Sequence, residues 1–349
     1  MPRIQFIDVT FPPSNLPSSF DIESRLKRHL HQLRLKKGAA REDFMIEDSD
    51  RIKIRQRTEA YLNAIARASG MGHLDKGDRK RLEVFRKGAE LKAVDTEHRA
   101  DEIASALHTE MPWMAEATER VWKDMRASVR NGDPAPRLRP LLLVGPPGIG
   151  KSFWARLLGD QLLVPTTVIE ATGEPAAFSV TGSQRGWGSA GPGKPLEGIM
   201  ASGIANPVVV VDEIEKAGIV ESNRGQRFSL SEGMLPFLER FTAAKWSCPY
   251  FRVSFDMSWI AWVMTANSLN GLPAPFLSRC PPIHLSALSA EDLKGFATRE
   301  GARRGLPYDA ISAVHEVVAA IDKPQLVSLR SVVRMLDAVD QAIHRPVLH

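Results

Sequence analysis

The sequence predicts an α/β fold: a parallel sheet preceded by a charged helical extension and followed by a small helical subdomain. Three observations predict it. Short continuous apolar runs at Leu141–Val144, 166–171, 208–211 and 259–265 are separated by segments long enough for crossover helices, the pattern of strands buried on both faces. The first run opens into a glycine-rich loop followed by a helical pattern over 153–163. From Ser289 onward, apolar residues recur at helical spacing.

The elements follow in order. From Asp21 to about Leu107 the chain is charged and helical in pattern, with Tyr61, Leu62, Ile65 and Ala66 on one stripe and a glycine-rich break over 69–77. Met111, Pro112 and Trp113 interrupt it. A further amphipathic helix is expected over 115–129, carrying Val121, Trp122, Met125 and Val129. The breaker-rich segment 131–139 then leads into the first buried strand. After the sheet, Ser289, Ala290, Glu291 and Asp292 read as a helix start, and 308–321 and 328–343 as further helices. The expected division is an extension over 1–110, an α/β domain over 111–286 and a helical subdomain over 287–349. This fits 349 residues at about 150 per domain.

Composition removes several classes. At 43% apolar and 25% charged residues, a disordered, collagen-like or fibrous chain is excluded. Two cysteines, Cys248 and Cys280, provide neither a disulfide framework nor a four-cysteine zinc site, which points to a reducing compartment and a cytoplasmic location. No stretch reaches the roughly 18 apolar residues of a membrane span, and the N-terminus lacks an apolar signal region, so neither insertion nor secretion is expected. The net charge of +5 is uneven, with 21 Lys+Arg against 15 Asp+Glu in residues 1–100. Arg25, Lys27, Arg28, Arg34, Lys36 and Lys37 form one basic cluster and Arg51, Lys53, Arg55 and Arg57 a second, with an acidic run between them. Such blocks are either solvated helix faces or a surface for nucleic acid or another acidic partner.

Gly145, Pro146, Pro147, Gly148, Ile149, Gly150, Lys151 and Ser152 match G-x-x-x-x-G-K-[ST] between a buried strand and a helix, the context in which that motif cradles phosphates. Backbone N–H groups turn inward at a helix N-terminus, whose dipole favours anions. ATP is the expected ligand, held by 145–152 and Phe153, with Lys151 reaching the β- and γ-phosphates and Ser152 ligating Mg²⁺. About 60 residues on, the strand over 208–211 delivers Asp212 and Glu213 to the sheet's carboxyl edge, where ligands of open α/β sheets bind. Asp212 is suited to holding Mg²⁺ through water and Glu213 to polarising the attacking water. A nucleotide kinase does not need that second carboxylate, so the pair favours hydrolysis.

Three further residues have two readings each from sequence alone. Asn267, ending the strand over 259–265, orients water or starts a turn. Arg279 is a functional cation or a surface charge. Arg330 and Arg334, four apart, either serve the site or form a solvated helix face.

The ordered set resembles an AAA+ ATPase, and within that class the ATPase module of the Lon family. The likeness runs from about Leu141 to Ala342. Besides the phosphate loop it rests on Asn206 to Lys216, Arg224 with Gly225, Tyr250 to Ser258, Thr265 to Ser268 and Leu272 to Arg279, all in the same order as in Lon. The resemblance implies a P-loop NTPase core with a helical lid. It puts Asn267 at sensor 1, Arg330 at sensor 2, and Arg279 at the arginine finger that completes a neighbouring subunit's site in a homo-oligomeric ring, most often a hexamer. The segment from Gln184 to Lys194 is similar to the loop that grips an unfolded polypeptide in Lon's central pore, with Trp187 as the gripping residue. The loop is one residue shorter than the family pattern, and its aromatic-aliphatic pair is reduced to Trp187 between glycines. A tryptophan packed on its own domain is the other reading.

Lon continues past its lid into a Ser-Lys protease domain that this sequence is not expected to contain, and residues 1–110 do not resemble Lon's substrate-binding region. The expectation is an ATP-driven ring motor that remodels or unfolds protein, alone or feeding a separate peptidase or effector. An AAA+ protein docked on DNA or RNA through its basic N-terminal region is the alternative.

Overall fold

A computed structural model of the chain describes residues 2–13, 15–37, 46–172, 176–185, 190–217, 220–221 and 227–344. The chain divides into two compact units, Ile7–Arg86 and a larger one formed by Met1–Phe6 with Lys87–His349.

The smaller unit is helical. Helix α1 (Ser19–Lys36) opens on a capping box in which Ser18 and Asp21 satisfy each other's backbone N–H groups. Helix α2 (Asp48–Ala68) packs along it, joined by an Arg34–Asp50 ion pair at 2.6 Å. Helix α3 (Lys76–Leu82), capped by Asp75, follows the glycine-rich break. All of the net charge lies here: 17 Lys+Arg against 12 Asp+Glu.

In the larger unit, strands β1 (Arg3–Ile4) and β2 (Ala89–Glu90) pair antiparallel. Helix α4 (Glu97–Glu110) packs on α5 (Ala115–Arg130), both burying one stripe, with Ile103, Leu107, Val121 and Met125 in the same core as the sheet. Helix α4, within the extension expected over 1–110, thus belongs to the larger compact unit. The cause is that α4 spends its apolar face on the core of the α/β domain. Asn206 reinforces this, its side-chain amide exchanging two 2.9 Å hydrogen bonds with the backbone of Lys92.

The main sheet holds β3 (Leu141–Val144), β4 (Thr166–Glu170), β5 (Val208–Asp212), β10 (Ala261–Ala266) and β11 (Pro282–His284). Its order is β11-β3-β10-β5-β4, and every neighbouring pair is parallel. The register sets Val263 beside both Leu141 and Val210. β3 and β10 are buried throughout and β5 up to its last residue, which is why they read as unbroken apolar runs. The fourth strand begins at Ala261 rather than Trp259, because Asp256 accepts from the Ser258 backbone (3.1 Å) and the Trp259 indole (3.2 Å), making a turn first.

Helix α6 (Lys151–Leu162) covers the sheet, and its Trp154 is fully buried with the indole N–H donating to Thr118. Burial of a side chain that size contributes about 2–3 kcal/mol. Helices α7 (Ala176–Thr181) and α8 (Lys194–Ser202) complete the crossover to β5. Beyond β5 come the short pairs β6 (Val220–Glu221) with β7 (Arg227–Phe228) and β8 (Trp246–Ser247) with β9 (Ser254–Phe255), helices α9 (Leu230–Leu238) and α10 (Arg240–Ala243), and then α11 (Ala274–Arg279) between β10 and β11. The C-terminal helices α12 (Ala290–Arg303), α13 (Tyr308–Ala319) and α14 (Leu329–Ile343) pack on one another through Leu293, Val314 and Leu336. The Ser289–Asp292 capping box opens α12, at the position the sequence marks as a helix start.

Among the described residues no helix is long and apolar enough to cross a membrane.

Candidate functional site

The loop between β3 and α6 is shaped by two glycines at positive φ, Gly148 (+78°) and Gly150 (+94°). Neither position has room for a side chain: a Cβ on Gly148 would lie 2.5 Å from Ser328 Cβ, and one on Gly150 2.5 Å from Met111 Cε. Gly150 occupies the N-cap of α6, and no side chain among the described residues caps that terminus, in contrast to the Ser- and Thr-capped starts of α4, α12 and α14. The first N–H groups of a twelve-residue helix are thus available to an anion, with the helix dipole behind them. Ile149 is buried, and its carbonyl accepts the Trp113 indole N–H at 2.9 Å. Phe153 is exposed.

Lys151 is buried beneath this loop. Its Nζ donates to the carbonyls of Gly145 (2.7 Å) and Pro146 (3.0 Å) and to Asn267 Oδ1 (3.1 Å). Burial holds the ammonium below the usual lysine range, partly offset by Asp212, Glu215 and Glu213. A desolvated ammonium held by neutral oxygens is poised for an anionic ligand, while the three carboxylates near it are suited to a cation.

Ser152 Oγ donates to Asp212 Oδ1 at 2.8 Å, so the hydroxyl of α6 and the carboxylate ending β5 converge on one point. Hydroxyl and carboxylate oxygens at such a point are donors suited to Mg²⁺. Thr265, fully buried on β10, bonds the same carboxylate oxygen and also accepts the Glu213 backbone N–H at 3.1 Å.

Glu213 sits just past the strand with φ +55° and ψ +48°, left-handed backbone that costs a non-glycine residue about 1–3 kcal/mol. Its Oε1 accepts from Asn267 Nδ2 at 3.2 Å and from Lys216 Nζ at 2.7 Å, the latter bond raising the Lys216 pKa. Asn267 therefore bridges Lys151 and Glu213 through the two ends of one amide. Its backbone N–H donates to Glu215 Oε1 at 3.0 Å.

The structure thus brings Lys151, Ser152, Asp212, Glu213 and Asn267 together at the carboxyl edge of β3, β5 and β10. The first turn of α14 joins them, since the Leu329 N–H donates to the Gly148 carbonyl at 3.0 Å; Arg330 follows and is exposed. Arg279 lies elsewhere, at the end of α11, with its Nε on Glu239 Oε1 (2.6 Å) and Nη1 on the Pro275 carbonyl (3.0 Å). Trp187 lies outside the described residues. The feet of its loop are pinned, with Gly182 bridged antiparallel to Pro192 and the Ser183 N–H donating to Gly191 O at 2.9 Å. Sequence reasoning left Thr265, Glu215 and Lys216 without roles of their own; nothing in their local pattern marks contacts made from the neighbouring strand and turn.

Fold and site define an ATPase domain of the phosphate-loop class. Residues 141–286 match the family described as ATPase family associated with various cellular activities (AAA). The chain is 28% identical to Lon protease of Metamycoplasma arthritidis over 58% of its own length and 25% of that protein. It is 28% identical to Lon protease 2 of Thermus thermophilus over 54% and 23%, and 33% identical to Lon protease 2 of Hydrogenovibrio crunogenus over 44% and 17%. The chain thus spans a quarter or less of the length of these relatives. Residues 141–286 thus match an AAA domain, and the chain is similar to part of Lon proteases.

Proposed function

We propose that this chain hydrolyses ATP in a homo-oligomeric ring, a hexamer by family likeness, and uses the cycle to remodel or unfold a protein substrate, alone or for a separate effector. The observation that carries the reading is the Asn267 amide held between Lys151 and Glu213, three groups from three elements meeting at the phosphate loop. In this reading the loop N–H groups of 145–152 bind the phosphates and Lys151 turns from the loop carbonyls onto the β- and γ-oxygens. Ser152 and Asp212 would hold Mg²⁺, which when bound neutralises phosphate charge. Glu213 Oε1 takes a proton from the attacking water, while Asn267 Nδ2 orients that water against it. Residues 287–349 act as a lid over the nucleotide, with Arg330 facing the phosphates once the lid closes. Arg279 completes the site of an adjacent subunit, where stabilising transition-state charge in trans contributes about 10³–10⁵ in rate. Trp187 grips the substrate.

The test is the steady-state MgATP hydrolysis rate, with Glu213→Gln as blank, in the presence of unfolded polypeptide or of DNA at low salt. Stimulation by polypeptide that disappears in Trp187→Ala supports threading; no hydrolysis above the blank under any condition removes the reading. A second reading, nucleic-acid docking through the N-terminal region, is favoured by the concentration of the whole +5 net charge in the Ile7–Arg86 unit. Stimulation by DNA with steep salt dependence would select it.

A further inference from the structure

The turn after β5, Ile214–Lys216, carries an acid that the proposed reaction does not use. Glu215 Oε1 accepts the Asn267 backbone N–H at 3.0 Å, while its Oε2 is buried and has no hydrogen-bond partner among the described residues. An unpaired buried carboxylate oxygen is costly, so the contact made by the other oxygen has to be weighed against that cost. Asn267 lies one residue past the end of β10, beyond the strand's ladder. Glu215 supplies the anchor the ladder no longer gives. With the backbone held at that point, the side-chain amide spans Lys151 Nζ at 3.1 Å and Glu213 Oε1 at 3.2 Å. A second link runs the other way, from the Glu213 N–H to Thr265 Oγ1. The turn after β5 and the end of β10 are therefore linked at three points, and of these only the Glu215 contact holds the Asn267 backbone.

We propose that Glu215 is a positioning residue for hydrolysis: it fixes Asn267 so that one amide presents its oxygen to the phosphate-binding lysine and its nitrogen to the base. This rests on the ATPase reading above for its kinetic consequence, but not for the anchor itself.

The experiment compares Glu215→Gln, which keeps an oxygen acceptor, with Glu215→Ala in the full chain. Both are measured for kcat and KM of MgATP hydrolysis, alone and combined with Asn267→Ala, and for hydrogen exchange at the Asn267 amide. The alanine variant is expected to lose about a hundredfold in kcat, the scale of a catalytic group displaced by about 1 Å, with KM changed less than about threefold. Glu215→Gln should stay within about fivefold of wild type, and Glu215→Ala should add less than about twofold in the Asn267→Ala background. Exchange at the Asn267 amide should accelerate in Glu215→Ala and not in Glu215→Gln, whether or not the protein hydrolyses ATP. If the alanine variant does not fold, Glu215→Met, similar in length but without an oxygen acceptor, makes the same comparison. Wild-type kcat in the alanine or methionine variant, multiplicative losses with Asn267→Ala, or unchanged amide exchange would each overturn the proposal. Absent wild-type hydrolysis with accelerated exchange would remove the ATPase reading and leave the anchor standing.

Discussion

Leu329 donates its backbone N–H to the carbonyl of Gly148 at 3.0 Å, fastening the first turn of the last helix to the apex of the phosphate loop. At this point helix and loop meet backbone to backbone. Gly148→Ala is therefore expected to fail twice, through its +78° φ, which costs about 1–2 kcal/mol, and through a Cβ 2.5 Å from Ser328. Nucleotide titration should show affinity reduced at least about tenfold, the effect of about 1.4 kcal/mol, together with a lower denaturation midpoint. Wild-type affinity in a folded variant would mean that the contact has no bearing on the site.

Trp113 supports the same loop through its indole bond to Ile149 O. Trp113→Phe keeps an aromatic ring but loses the pyrrole half of the indole with its donor; the hydrogen bond alone is worth about 1 kcal/mol, so nucleotide affinity should fall roughly fivefold with the fold intact. An unchanged dissociation constant would show that the loop holds its shape without this bond.

The Arg279–Glu239 ion pair offers a test of the proposed assembly. If Arg279 serves a neighbouring subunit, Arg279→Ala and Glu213→Gln are each inactive alone, and mixing the two proteins should restore part of the rate. A mixed site then joins an intact Glu213 to an intact Arg279. Mixed oligomers that form and stay inactive would place Arg279 outside the site. Glu239→Gln, which keeps an acceptor for Nε, should retain most of the wild-type rate, whereas Glu239→Ala should lower it without altering nucleotide affinity.

Burial pushes the Cys280 thiol up to about 12 from 9.0. A raised thiol pKa keeps the folded state protonated where the unfolded state ionises. Its contribution to stability is therefore complete below pH 9.0 and is lost as pH rises toward 12. Denaturation between pH 8 and 11 should show a shallower alkaline decline in Cys280→Ala than in wild type. In the folded protein both buried thiols should be silent to thiol reagents at pH 8. Parallel alkaline slopes, or rapid modification of the native protein, would contradict this.

The phosphate loop, the two carboxylates and the strands carrying them were legible in the sequence because each is local: a spacing of glycines, a lysine at a helix start, an apolar run ending in acids. The edge residues were harder to place. Asn267 reads equally as a turn residue until β10 is seen beside both β3 and β5. The helix over 97–110 reads as part of the extension until its apolar stripe is seen packed into the α/β core. Thr265, Glu215 and Lys216 owe their significance to what lies opposite them.

Sequence alone determined the α/β class, the nucleotide motif and the order of the elements, since these depend on periodicity and on groups within a few residues of one another. Tertiary structure decided that the N-terminal unit ends at Arg86, that Lys151, Asn267 and Glu213 form one hydrogen-bonded chain, and that α14 closes on the loop. Those contacts join residues 54 to 181 positions apart, and strand order and helix packing, which no local pattern specifies, fix which of them meet.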